Sequence, residues 1–184
     1  MSGTAGDLIG PRVVLRSFRF DDVSAVLAYA SDPEVTRHLE WDVYDDRPTA
    51  EAFIRSTRAR GATWFARAIV LRETDHVIGG VDLRIVAPRD RRAEIGYGLA
   101  RAYWGRGYAT EAAGLILRFG FETLGLVRIE ALCSIENERS ARTLERLGMR
   151  REGLLAQYRF KKGTQRDHYL YAMTCGASDG SHGP

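Results

Sequence analysis

The spacing of apolar and polar residues divides this chain into alternating strands and helices. Val13, Val14, Leu15 and Phe18 form a short apolar run that predicts a first strand. An Asp21-Asp22 pair follows as a helix start, after which Val23, Val26, Leu27 and Ala30 recur at helical spacing. Pro33 opens a second helical piece ending near Trp41. Thr49 is placed to cap a third, which runs through Ala59 and stops at Gly61. The middle is strand-like over 63–71, 77–86 and 93–99, and Gly79-Gly80 inside the second of these marks a bulge or a close backbone approach. Thr110 to Leu124 reads as a helix with Ala113, Leu117, Phe121 and Leu124 on one face. Val127, Ile129, Ala131 and Cys133 alternate along a strand that ends at Ser134. A helix over 137–147 stops at Gly148, and two last strands, 153–160 and 167–174, turn through Lys162-Gly163.

This order is mixed α/β, with a strand–loop–helix–strand–helix centre. With 184 residues, 45% of them hydrophobic, and no linker or repeat, the chain suits a single core. Residues 1–10 and 176–184 are rich in Gly, Ser and Asp and are expected to be flexible tails. No apolar run nears the ~20 residues that span a bilayer, and the start lacks a signal peptide's apolar core. A cytoplasmic protein without a membrane partner is expected. A net charge of +3 is too small to argue for direct nucleic-acid binding. Lys161 and Lys162 are the only lysines. Cys133 and Cys175 have no metal-type spacing and read as free, buried thiols on strands. The four histidines are scattered, so no metal site is suggested.

The chemistry concentrates in Trp104-Gly105-Arg106-Gly107-Tyr108-Ala109-Thr110-Glu111, between a strand and a helix. Two glycines one residue apart let successive N–H groups face one concavity, and the helix start adds unsatisfied N–H groups and its positive dipole end. Such a loop suits a pyrophosphate, with Arg106 and Arg101 as further cationic contacts. A nucleotide P-loop would end in Gly-Lys-Ser/Thr, which is absent. A dinucleotide fingerprint needs a third glycine and a place near the first strand of a βαβ repeat, and this loop has neither.

The stretch from Ala93 to Leu99, with Glu94, Tyr97 and Gly98, followed by Tyr103 to Ala112, resembles the acetyl-CoA-binding motif of the GNAT N-acetyltransferases. Its Trp-Gly-Arg-Gly-Tyr-Ala form is similar to the branch typified by the RimJ and RimL ribosomal-protein N-terminal acetyltransferases. Asn137-Glu138-Arg139-Ser140 resembles the branch's Asn-x-x-Ser segment, and residues 11–16 and 163–168 also match. The resemblance covers roughly residues 11–175. It implies a single-domain α/β acyl-CoA N-acyltransferase fold, an α+β mixed sheet of about seven strands flanked by helices. That sheet splays between its fourth and fifth strands, here 94–99 and 127–134.

The same resemblance implies acetyl-CoA as donor substrate, without a metal. Tyr97, Gly98 and Leu99 would pair with pantetheine through their backbone, Trp104, Gly105, Arg106, Gly107, Tyr108, Ala109 and Thr110 would hold the pyrophosphate, and Asn137 would be a side-chain partner for pantetheine. Ser140, one turn after Asn137, is the candidate proton donor to the departing sulfur, or else a packing serine. Glu94 is the candidate base, or else a partner for Arg91 or Arg92, and Glu136 is a weaker candidate. Some relatives carry a Glu on the sixth strand where Arg159 stands here. Trp41, with Glu40 and Tyr44, and Tyr158, with Arg159, are candidates for the acceptor cleft or for core packing. The acceptor would be an amine: a protein N-terminus or a small molecule such as an antibiotic or polyamine. A non-catalytic acyl-CoA-binding module and a homodimer stay open.

Overall fold

The computed structural model describes residues 6–59 and 61–176. Eight strands form one sheet: β1 (Leu8–Ile9), β2 (Val13–Arg16), β3 (Trp64–Leu71), β4 (Val77–Ala87), β5 (Arg92–Leu99), β6 (Arg128–Ser134), β7 (Arg150–Lys161) and β8 (Thr164–Thr174). Their order is β1-β2-β3-β4-β5-β6-β8-β7, antiparallel except for the central β5–β6 pair. Helices α1 (Val23–Ala30), α2 (Pro33–Thr36) and α3 (Arg47–Ala59) cover one face over a core of Phe18, Val26, Tyr29, Ile54 and Ala68. Helices α4 (Tyr108–Arg118) and α5 (Glu138–Arg146) cover the other over Leu15, Ile69, Leu83, Ile116 and Ile129. Among the described residues no helix is long and apolar enough to cross a membrane.

Several boundaries move for identifiable reasons. Leu8–Ile9, assigned above to a tail, pair with Val14 and Leu15 as an eighth, edge strand. The remaining tail residues, 1–5 and 177–184, lie outside the described part. The first strand ends at Arg16, because Arg16 and Asp22 form a buried two-armed ion pair at 2.7 and 2.8 Å. Asp22 therefore closes a 3-10 turn (Phe20–Asp22) before α1 and does not cap it by its side chain. The second helical piece is one turn long and stops at Thr36, well short of Trp41. Asp46, and not Thr49, sits at the head of α3, its Oδ1 accepting from Thr49 N at 2.9 Å and Thr49 Oγ1 at 2.6 Å. Cys133 is buried, whereas Cys175 falls just past β8 and is exposed.

Gly79 realises both readings of the double glycine. A register shift opposite Ile69 and Val70 makes a bulge, and a Cβ on Gly79 would stand 2.2 Å from the Gly98 carbonyl oxygen. The closeness is a property of the β4–β5 contact that positions the site.

Removing one partner of a buried ion pair leaves the other charge uncompensated, a loss of about 3–5 kcal/mol. Asp22→Ala should accordingly lower the urea midpoint by that free energy with an unchanged m-value, whereas a surface pair such as Arg142–Glu138 should be nearly neutral.

Candidate active site

Strands β5 and β6 touch only at their starts, where Arg92, Ala93 and Glu94 pair with Arg128, Ile129 and Glu130. Beyond Glu94 they part, although β4 stays paired to β5 as far as Leu99 and β8 to β6 as far as Ser134. The inner edges of 95–99 and 131–134 therefore have no strand partner in each other, and their backbone polar groups face a cavity. That cavity measures about 2020 Å³, roughly twice the ~1,000 Å³ upper range for one small ligand. It has room for a nucleotide-sized donor and an acceptor together.

One end of the cavity is the start of α4. The helix begins at Tyr108, two residues earlier than its apolar spacing suggests, because Gly107 caps it in the left-handed region at φ 80°. Gly105 is also left-handed, at φ 74°, with open space where a Cβ would stand. The early N–H groups of α4 and the residues Gly105, Gly107, Tyr108, Ala109 and Thr110 line the cavity. Glu111 fixes this end: its carboxylate accepts from Arg12 N (2.7 Å), Val13 N (3.0 Å) and Arg12 Nε (2.8 Å), and those donors hold it below the usual carboxylate range despite burial. Arg12 also reaches the Arg106 carbonyl at 2.9 Å, tying the loop to the head of β2.

The arginines are distributed otherwise than the sequence suggested. Arg101 lines the cavity and also pairs with Asp32 at 3.2 Å, whereas Arg106 does not line it. Arg139 and Arg142, on α5, do line it, and the Arg139 guanidinium lies over the Trp104 ring, 4.9 Å from its centre. Trp104 itself donates Nε1–H to the Leu99 carbonyl at 2.8 Å, so its ring braces the loop.

Along the side of the cleft stands a hydroxyl pair. Asn137 caps α5 through Oδ1, which accepts from Ser140 N at 3.2 Å, leaving its Nδ2 hydrogens for other partners. The cap presents Ser140 Oγ to the Tyr97 hydroxyl at 2.9 Å. Burial is the main cause that pushes the Tyr97 hydroxyl up to about 12, so it stays protonated near neutral pH. The sequence pointed to Tyr97 only for its backbone, since nothing local pairs residues 43 apart.

On the face of the sheet covered by α1–α3, charged groups interlock. Glu94 is held by Arg84 Nη2 at 3.3 Å, the residue opposite it on β4, and not by Arg91 or Arg92. Arg92 instead binds Glu130 at 2.5 Å. Arg84 also binds Glu40 at 3.1 Å, and Arg159 on β7 binds the same carboxylate at 2.6 Å. Glu136 is paired with Arg166 at 2.9 Å. Trp41 lies against Gly98, where a Cβ would stand 3.8 Å from its ring, and its buried Nε1 has no hydrogen-bond partner among the described residues. Tyr158, half exposed, also lines the cavity, with its ring edge-on to His168. Lys161 donates to the carbonyl oxygens of Leu39 and Trp41, drawing the loop after α2 towards β7.

Two groups escaped sequence reasoning altogether. His168, on β8 opposite Ser134, is buried and its pKa is lowered mainly by that burial, so its imidazole is neutral at pH 7. Asp82, on β4 opposite Gly96, accepts from Trp64 Nε1 at 2.8 Å, and burial pushes its carboxyl up to about 6.

A strand edge left open beside a glycine-capped helix start is the architecture of an acetyl-CoA-dependent N-acetyltransferase. Residues 12–150 match the model of the acetyltransferase (GNAT) domain, and the chain belongs to that family. It is 35% identical over 164 residues to the uncharacterized N-acetyltransferase p20 of Bacillus licheniformis, covering 88% of this chain and 92% of that one. It is 28% identical over 108 residues to the ribosomal-protein-serine acetyltransferase of Escherichia coli, covering 59% and 60% of the two chains. Among solved structures, a GNAT-family acetyltransferase from Bacillus anthracis superposes with a TM-score of 0.84 at 29% identity, covering 91% of this chain and 98% of that one. RimJ of Mycobacterium smegmatis, in complex with CoA-disulfide, superposes at 0.79 with 30% identity, covering 88% and 81%.

Because the Asp82 pKa lies above its unfolded value, the folded chain holds more protons than the unfolded one between about pH 4 and 6. Stability is therefore lost as pH rises through 6, by about 3 kcal/mol at 1.36 kcal/mol per pH unit. Asp82→Asn should melt roughly 6–12 °C above the wild type at pH 8, at 2–4 °C per kcal/mol, and calorimetry should show that gain shrinking as pH falls towards 4.

Proposed function

We propose that this chain transfers the acetyl group of acetyl-CoA to a primary amine, by direct attack within a ternary complex, and that the acceptor is a protein N-terminal α-amine. The supporting observation is the open inner edge of β5 leading to the glycine-capped start of α4 within one cavity. An amide-bearing pantetheine satisfies the backbone groups of Tyr97, Gly98 and Leu99, and the pyrophosphate sits on the N–H groups of 105–110. A β5 N–H directed at the acetyl oxygen stabilises the negative charge that develops there.

In the reaction the amine nitrogen bonds to the acetyl carbon, the C–S bond breaks, and the thiolate takes a proton. Ser140 Oγ–H supplies it and is recharged by the Tyr97 hydroxyl 2.9 Å behind it. Glu94, engaged by Arg84, serves the acceptor side as an electrostatic group and a secondary base. Trp41 and Tyr158 frame the acceptor.

The α-amine reading rests on thermodynamics as well as on relatives. An α-amine with a pKa of about 7.7–8.0 is already partly neutral near pH 7.5, whereas a lysine at about 10.4 requires roughly 3 kcal/mol more for deprotonation. The similarity to the ribosomal-protein-serine acetyltransferase of Escherichia coli supports the same reading, and a cytoplasmic enzyme goes with such an acceptor.

Incubating the protein and acetyl-CoA with peptides bearing free N-termini, spermidine and an aminoglycoside, with products read by mass spectrometry, tests the acceptor. Acetylated peptide N-termini are expected. Acetylation only of lysine side chains or only of the small amines overturns the α-amine reading, and tight acetyl-CoA binding without turnover makes the chain a binding module. Gly107→Trp, which puts an indole at the left-handed cap, should abolish acetyl-CoA binding in calorimetry while leaving the circular dichroism unchanged. Ser140→Ala should lower kcat by about 10²-fold with little change in acetyl-CoA affinity.

A further inference from the structure

We propose that Asp82 is the catalytic base that takes the proton from the acceptor's ammonium group. The inference rests on the amine-acetylating reading above and adds a residue that the acetyl-CoA motif does not contain.

Asp82 lies one strand away from the open edge, level with Gly96, just past the point where β5 and β6 part. Its two oxygens are treated differently. Oδ2 accepts from Trp64 Nε1 at 2.8 Å, which fixes the plane of the carboxylate. Oδ1 lies over Gly96, where an added Cβ would stand 2.9 Å away, so a side chain at that position would push the oxygen aside. Arg84, the nearest cation, is engaged by Glu40 and Glu94, and Arg159 is engaged by Glu40. Among the described residues Asp82 forms no salt bridge of its own, so a largely buried carboxylate lines the cavity with Arg84, already engaged by Glu40 and Glu94, as the cation acting on it. Charge left in that state is costly and marks functional positions more often than structural ones. An incoming ammonium group is the missing counter-charge.

The groups that set its titration are named by the packing. Arg84 on its own strand favours the charged form, and Glu40 from the loop after α2 and Glu94 from β5 oppose it. Burial dominates and leaves the carboxyl near 6, ionised at neutral pH and able to accept a proton. The step then balances. Asp82 Oδ1 takes one proton from R–NH3+, and the freed lone pair forms the N–C bond. As the C–S bond breaks, the nitrogen gives its second proton to water, the thiolate gains one from Ser140, which solvent restores through Tyr97, and Asp82 returns its own to solvent. Net, one proton is released for each acetyl group transferred.

His168, across the gap on β8, is the rival base. Its Nδ1 lies 3.2 Å from the Arg166 carbonyl oxygen, and its pKa is also at the acid side of neutral. The test therefore runs the wild type, Asp82→Asn and His168→Asn over pH 5.5–9, with an alanine-initiated hexapeptide and with spermidine, reading kcat/KM. An acid limb near pH 6 is expected in the wild type and in His168→Asn. Asp82→Asn should lose that limb and about 10²-fold in rate at pH 7.5, although it is the more stable protein at that pH. Independently of any acceptor, the Trp64 indole N–H cross-peak in 1H–15N spectra, one of three tryptophans and assigned by Trp64→Phe, should titrate with the same midpoint and stop titrating in Asp82→Asn. An unchanged limb and rate in Asp82→Asn, or a limb that disappears only in His168→Asn, overturns the role of Asp82. No turnover of either amine by the wild type overturns the acceptor reading beneath it.

Discussion

The parting of β5 from β6 is the constraint on which the rest of this molecule depends. A parallel pair inside a sheet normally satisfies its backbone along its whole length, and leaving buried N–H and C=O groups unmatched is costly. Here pairing stops after Glu94–Glu130, and each strand keeps only its outer neighbour. The open edge is tolerated because it lines a cavity that water or an amide-bearing ligand can enter. The small residues follow from it. Gly96 and Gly98 clear one wall for Asp82 and Trp41, and Gly79 lets β4 crowd the back of β5.

The two ends of the cleft solve opposite electrostatic problems. At the donor end, N–H groups and α5 arginines gather around a loop whose one acid, Glu111, is already matched by Arg12 and two backbone donors. Positive potential is thus left unmatched at that end. On the acceptor side, Arg84 and Arg159 are occupied by Glu40 and Glu94, so the charges largely cancel except at Asp82. One cavity can therefore receive a polyanionic donor and a cationic acceptor without either taking the other's place.

Much of this could be read from the chain because it is encoded locally. Gly105 and Gly107 announce a left-handed turn, Asn137 before a helix announces a cap, and the alternation of Ile129, Ala131 and Cys133 announces a strand whose apolar face is in the core. Contacts set by strand register were not legible. Arg84 meets Glu94, and Asp82 meets Gly96, only because β4 and β5 pair with that offset. Tyr97 and Ser140 meet because α5 folds back along the cleft. The Asp22 carboxylate looked like a helix start because an acid before an apolar run usually is one. The partner that claims it, Arg16, is a buried residue at the end of β2. The glycine-capped end of the cleft was therefore readable from residue types, whereas the charged wall opposite needed the sheet.

The tie from Lys161 to the loop after α2 also has a bearing on how the cleft is made. It joins residues 120 and more positions apart, from the next-to-last strand to a segment near the start of the chain. During synthesis, with domains forming from the N-terminal side first, the phosphate loop and the strand before it leave the ribosome well before Lys161 does. A nascent chain thus forms the glycine-capped start of α4 while this wall of the cleft is still missing, and the cleft is complete only when the last hairpin closes over the first third of the sequence.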